Sequence, residues 1–257
     1  MRLATANVLH GRSPADGRVD LDRYAAALAS LDADVLGLQE VDRDQPRSHR
    51  ADLTALAARA CGAVAHRFVP AISGTRGAGW RRATGAEPPG STAYGIALLS
   101  RHPVAAWGEV RLPLLPVSAP RWERRGGRRR LRWVRDEPRV ALLARVLAPE
   151  GPLTVVVTHL SHVPGWSAWQ LRRLARLVAA QEGPLVLMGD LNAAGEGPAH
   201  ATRLRPLAVA DTFPARAPDR QIDHLLGRGV AARGPGRAVH LPISDHRALV
   251  ADVAVLG

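Results

Sequence analysis

Short apolar runs that stop abruptly on polar residues recur along this chain, and they leave little choice of architecture. The clearest is Pro184-Leu185-Val186-Leu187-Met188-Gly189-Asp190-Leu191-Asn192. An apolar run of strand length leads into a glycine, and a carboxylate and a carboxamide then follow two residues apart, on the same side of an extended chain. A buried sheet presents chemistry at its edge in this way. Taken alone, the Asp-x-Asn ending also reads as a turn that merely closes a strand. Recurrence is what separates the two readings.

A first strand over 3–9 ends near Asn7 and His10, and a second over 34–40 ends on Gln39 and Glu40. Residues 92–100 read as a strand containing Tyr94 and Gly95. Two buried strands follow over 139–147 and 153–159, the latter ending on His159. Residues 221–226 form a short strand carrying Asp223, and Ser244-Asp245-His246 feeds a terminal strand with alternating apolar positions. Helical patterns interleave with these strands. Asp20 caps a helix with Leu21, Tyr24, Ala25, Leu28 and Leu31 on one face, and Asp52 caps another with Leu53, Leu56, Ala57 and Ala60. A third helix, 166–181, carries an apolar stripe of Trp169, Leu171, Leu174, Leu177 and Val178. A short helix or turn is expected over 198–204. With no internal repeat and no linker, the pattern predicts one α/β domain over residues 1–257.

Between these elements, 73–90 is rich in Gly, Pro and Arg and reads as a long surface loop. The strand over 104–112 is expected beside that over 92–100, across a turn at Arg101-His102-Pro103. Residues 121–135 read as a hairpin turning at Gly126-Gly127, part of an insertion at 119–137. A two-residue turn sets Trp122 opposite Leu131 and Glu123 opposite Arg130. One side is then partly apolar and most of the rest cationic.

Composition narrows the function classes. No apolar run approaches the roughly 20 residues needed to span a bilayer, and the N-terminus lacks the apolar core and cleavage site of a signal peptide. A soluble, cytoplasmic, monomeric protein is the expectation. The single cysteine, Cys61, excludes an intramolecular disulfide and a cysteine metal cage, and it reads as an inert core thiol. The formal charge of +12 comes from a chain without lysine. An arginine-only, Ala/Gly/Pro-rich composition reflects a GC-rich genome as much as a function, so the placement of the arginines carries more weight than their number.

Collected, the strand-end polar residues are Asn7, Glu40, His159, Asp190, Asn192, Asp223, Asp245 and His246. Together they make an oxygen-rich pocket suited to a hard divalent cation such as Mg²⁺ or Mn²⁺, with histidines for proton transfer or charge stabilisation.

The ordered set Asn7, Leu38-Gln39-Glu40-Val41, Tyr94-Gly95, Leu99-Ser100-Arg101, Thr158-His159-Leu160, Gly189-Asp190-Leu191-Asn192, Ile222-Asp223-His224 and Ser244-Asp245-His246 resembles the endonuclease/exonuclease/phosphatase superfamily. The resemblance implies a fold of two packed, mainly antiparallel sheets flanked by helices, a four-layer α/β sandwich. It implies Glu40 as the principal metal ligand, with Asn7 and Asp245 completing the site directly or through water. It implies further that Asp190 orients or deprotonates the attacking water and that Asn192 holds a phosphate oxygen. His246, held by Asp223, would stabilise the pentavalent phosphorus, His159 would act at the leaving or non-bridging oxygen, and Tyr94 joins the catalytic set. The pattern around Asp42-Arg43, Arg47-Ser48 and Gln170 is similar to a bacterial branch of metal-dependent hydrolases, in which glycines are expected where His49 and Val140 stand.

The implied substrate is an anionic phosphoester, most simply a phosphodiester. The hairpin residues Trp122, Arg124, Arg125, Arg128, Arg129, Arg130 and Trp133 suit a nucleic-acid backbone with stacked bases, and equally an anionic membrane surface contacted from outside. A phospholipid or inositol-phosphate hydrolase and a non-catalytic binding module on the same fold are the alternatives to a nuclease-like enzyme.

Overall fold

In the computed structural model, which describes residues 1–75, 78–115, 119–125, 128–134, 136–163 and 165–256, with the backbone alone for the two segments within 119–134, the apolar runs become strands buried on both faces. The chain begins with β1 (Arg2–Asn7), α1 (Leu21–Ala29), β2 (Val35–Arg43), α2 (Leu53–Cys61), β3 (Ala65–Thr75), β4 (Gly79–Arg82) and β5 (Ala93–Ser100). Then come β6 (Val104–Arg111), β7 (Ala119–Arg125), β8 (Arg128–Val134), β9 (Val140–Ala148), β10 (Gly151–His159), α3 (Trp166–Ala179) and β11 (Leu185–Asp190). The last elements are α4 (Gly197–Thr202), β12 (Arg205–Pro206), β13 (Asp223–Arg228), β14 (Val230–Ala232), β15 (Arg237–His240) and β16 (Arg247–Val255).

Eight strands form one sheet in the order β14-β16-β1-β2-β5-β3-β4, with β15 also on β16; six form the other in the order β12-β13-β11-β10-β9-β6. Alternation along the strands explains the layering. Leu3, Val35, Leu98, Val155, Val157 and Met188 point between the sheets. Their neighbours Ala4, Leu36 and Leu99 pack on Tyr24 and Leu28 of α1 and Leu53 and Ala57 of α2. On the far side, Val156 and Leu187 meet Leu171, Leu174 and Val178 of α3. The result is a four-layer α/β sandwich, and strands covered on both faces read as continuous apolar runs. Gly37 lies at a close approach of the two sheets: a Cβ there would sit 2.8 Å from Met188 Sδ and 2.9 Å from Val157 Cγ2.

The caps are those expected. Asp20 accepts from the Arg23 amide and Asp52 from the Ala55 amide, both at 2.9 Å. Cys61 is buried, and burial pushes its thiol pKa up. The hairpin register also holds, Trp122 opposite Leu131 and Glu123 opposite Arg130. Gly126-Gly127 and the arginine and tryptophan side chains of this hairpin lie outside the described residues. No helix among the described residues is long and apolar enough to cross a membrane.

Three expectations fail. Residues 73–75 and 79–82 are not loop: β3 and β4 pair from Ile72↔Arg82 to Thr75↔Gly79. β4 is the edge strand of its sheet and is largely exposed, so it needs no apolar periodicity. The strand over 104–111 does not pair with β5, because both edges of β5 are already taken by β2 and β3. The chain crosses instead to the other sheet, where β6 pairs with β9. Trp169 leaves the stripe of α3; it is exposed and stacks on Trp166 at 4.6 Å, while Gln170 takes the inward place.

Candidate active site

The strand ends converge at one edge of the sandwich, and Asp190 is at the centre. Gly189 has φ 140°, and a Cβ there would lie 1.9 Å from the Thr158 carbonyl oxygen, so only glycine permits this close passage of β11 beside β10. Asp190 follows it, buried. Its Oδ1 accepts from the Asn192 amide at 2.9 Å. Its Oδ2 faces Asn7 Nδ2 at 3.1 Å, His159 Nε2 at 3.4 Å and His246 Nε2 at 3.9 Å. Burial first, then the Asp223 charge, push the Asp190 pKa up to about 7, against the pull of His246 and its hydrogen bonds.

Asn7 ends β1 and joins two carboxylates. The same Nδ2 that reaches Asp190 donates to Glu40 Oε1 at 3.3 Å. Glu40 sits in β2 with φ 59°, in a stretch where the register against β5 shifts between Leu38 and Val41. A bulge with a left-handed residue re-aims a side chain that a regular strand would direct elsewhere. Burial raises the Glu40 pKa, opposed by the Asn7 hydrogen bond and the charge of Arg139.

His246 is held from several sides. Its Nδ1 lies 2.9 Å from Asp223 Oδ2, which also accepts from Thr212 Oγ1 at 2.6 Å. Its amide donates to Ser244 Oγ at 3.0 Å, and that hydroxyl donates to the Asn7 carbonyl at 2.6 Å. The Phe213 ring packs on its imidazole at 4.8 Å. Burial disfavours the imidazolium, but Asp223, Asp190 and Asp245 outweigh it and raise the pKa to about 9.

Asn7, Glu40, His159, Asp190, Asp223 and His246 are thus brought together. Asn192, with φ 47°, abuts Asp190 but spends its Nδ2 on the Leu160 carbonyl at 3.0 Å. Asp245 stands apart: its half-buried carboxylate makes no hydrogen bond among the described residues. It lines a cleft of about 580 Å³ with Pro14, Pro214, Pro242, Arg216 and His240. Tyr94 is buried on the opposite flank, under Arg47 at 5.4 Å, and lines a narrow cleft with Arg139 and His159. Arg47 in turn grips the buried Asp42 at 2.8 and 2.7 Å.

The donors suit a hard cation. Asp190, Asp223 and His246 offer ligand atoms within 4.8 Å of one another, and Glu40 and Asn7 add oxygens nearby. Glu40 and Asp190, both raised in pKa by burial, are carboxylates whose charge a divalent cation would compensate. Sequence reasoning missed Thr212 and Arg139; Thr212 lies in a stretch without motif, and Arg139 is one arginine among many.

No curated protein matches the chain. Among solved structures, it is similar to an endonuclease/exonuclease/phosphatase from Beutenbergia cavernae, at 25% identity over 100% of this chain and 72% of that one, TM-score 0.68. A mannosyl-6-phosphatase of Bacteroides thetaiotaomicron shares the fold at 14% identity over 99% of each chain, TM-score 0.64. So does sphingomyelinase C of Streptomyces griseocarneus, at 16% identity over 98% of each, TM-score 0.59. Residues 4–246 match the Endonuclease/Exonuclease/phosphatase family, and the chain belongs to that family of phosphoester hydrolases.

Proposed function

We propose that this protein is a Mg²⁺- or Mn²⁺-dependent phosphoesterase that hydrolyses a phosphodiester by in-line attack of water. The observation that carries the reading is the environment of Asp190 Oδ2, ringed by Asn7, His159 and His246 at 3.1 to 3.9 Å. A carboxylate so placed orients a water and takes its proton. His246, oriented through Nδ1 by Asp223, directs Nε2 toward the charge that develops on the phosphoryl oxygens. His159 serves the leaving or a non-bridging oxygen, Asn192 steadies a phosphate oxygen, and Tyr94 closes the flank. Glu40, with Asn7 and Asp245, would hold the cation, which when bound neutralises phosphate charge.

The Arg/Trp hairpin supports a polyanionic substrate, either nucleic acid or an anionic lipid surface. The cleft beside Asp245 favours a second reading, a compact organic phosphoester, since its volume lies in the range of small-molecule sites. Purified protein with Mg²⁺ or Mn²⁺ is expected to hydrolyse a generic phosphodiester, with Glu40→Ala and His246→Ala both inactive. Assays on plasmid DNA, RNA, sphingomyelin and inositol phosphates side by side select the substrate class. No metal-stimulated turnover on any of them would leave a non-catalytic binding module.

A further inference from the structure

Arg139 is 5% exposed, yet its Nε makes no hydrogen bond. The nearest carboxylate recorded for it, Glu137 Oε2, lies 3.9 Å from a terminal nitrogen, beyond hydrogen-bond reach. A buried guanidinium is costly unless its donors are used. Arg47 illustrates the ordinary solution, with two donors on Asp42. Arg139 has no such partner among the described residues, and its place in the molecule is telling. It lies at the entry to β9, with its carbonyl fixed by the Leu112 amide at 2.8 Å. It shares a narrow cleft with Tyr94, Gly95 and His159 and is close enough to Glu40 for its charge to be felt there.

We infer that Arg139 is a substrate-binding residue whose fork takes non-bridging oxygens of the phosphoryl group between the Glu40 and His159 sides of the site. The inference rests on the phosphoesterase reading and adds a ligand-binding role that neither the ordered motifs nor the acidic cluster includes. Guanidinium suits this position because its planar donors match two phosphate oxygens at once, which a lysine ammonium cannot do.

The test uses the full chain with Mn²⁺ and two readouts: inorganic phosphate binding by calorimetry, and turnover of bis(p-nitrophenyl) phosphate. Arg139→Gln is expected to weaken phosphate binding at least about tenfold, the size of losing charge-assisted hydrogen bonds, and to lower kcat/KM. Arg139→Lys, which keeps the charge and most of the stem, is expected not to restore either value. It carries the test should the glutamine variant not fold. Arg233→Gln, at an exposed pair with Glu150, serves as the control and is expected to change neither. Wild-type phosphate affinity and kcat/KM in Arg139→Lys, or in a folded Arg139→Gln, would overturn the assignment. If the wild type turns over no phosphoester but its phosphate affinity still depends on Arg139, the hydrolase reading fails and the binding assignment stands.

Discussion

Nδ1 of His246 lies 2.9 Å from Oδ2 of Asp223, and the two residues come from strands of different sheets or the turn leading into them. The carboxylate favours the imidazolium and fixes its orientation, leaving Nε2 facing Asp190. Asp223→Asn preserves shape but not the charge that orients and stabilises the imidazolium. It is expected to retain its melting temperature and lose about 10²–10⁴ in kcat, the range for removing an orienting carboxylate from a histidine. Steady-state kinetics beside a thermal melt check this, and a kcat close to wild type would refute it.

Glu40 occupies a left-handed backbone at φ 59°. For a non-glycine residue this costs about 1–2 kcal/mol. Glu40→Gly removes that strain together with a buried carboxylate, so the metal-free variant is expected to melt no lower than wild type while showing no turnover. A clear fall in melting temperature would count against strain at this position.

Chelation with EDTA is expected to abolish activity, and Mg²⁺ or Mn²⁺ to restore it. Binding to the folded chain alone stabilises it by about 2.7 kcal/mol at a hundredfold excess over Kd. The melting temperature is therefore expected to rise with metal in wild type and to rise little in Glu40→Gln. An equal rise in the variant would mean that the cation binds elsewhere.

Gly189→Ala places a methyl group 1.9 Å from the Thr158 carbonyl oxygen at a φ of 140°. Because the obstacle is backbone, relief requires moving β10 or β11, and a loss of at least about 3 kcal/mol is expected, in the severe tail of single substitutions. Denaturant melts read this directly.

Deleting residues 126–130 shortens the β7–β8 hairpin without touching the strand ends of the site. Binding to polyanions or anionic vesicles is expected to weaken and lose salt dependence, while hydrolysis of a small diester persists. An equal loss of both would make the hairpin structural.

Much of this was legible in the sequence, for reasons that can be located. Asp20 and Asp52 announce their helices because a cap is local chemistry. Asn7, Glu40, His159, Asp190, Asp223 and His246 could be collected because strand ends in a layered α/β fold share an edge. The partner of β6 could not be read, since it depends on which edges of β5 are already occupied. The bulge at Glu40 was equally hidden, because nothing in Leu38-Gln39-Glu40-Val41 distinguishes a regular strand from one that kinks. His49 is instructive: a glycine is expected there, and its φ of 56° gives the reason. Arg139 escaped notice because isolation from partners is a property of the folded neighbourhood.

Asn7 to Asp190 and His246 to Asp223 are both hydrogen bonds between the two sheets, and β16, which directly follows the His246 turn, pairs with β1. The chemical groups therefore meet only when segments far apart in the sequence, β1, β11, β13 and the turn into β16, are packed together. Loosening one sheet from the other is then expected to scatter the site even where each sheet stays intact.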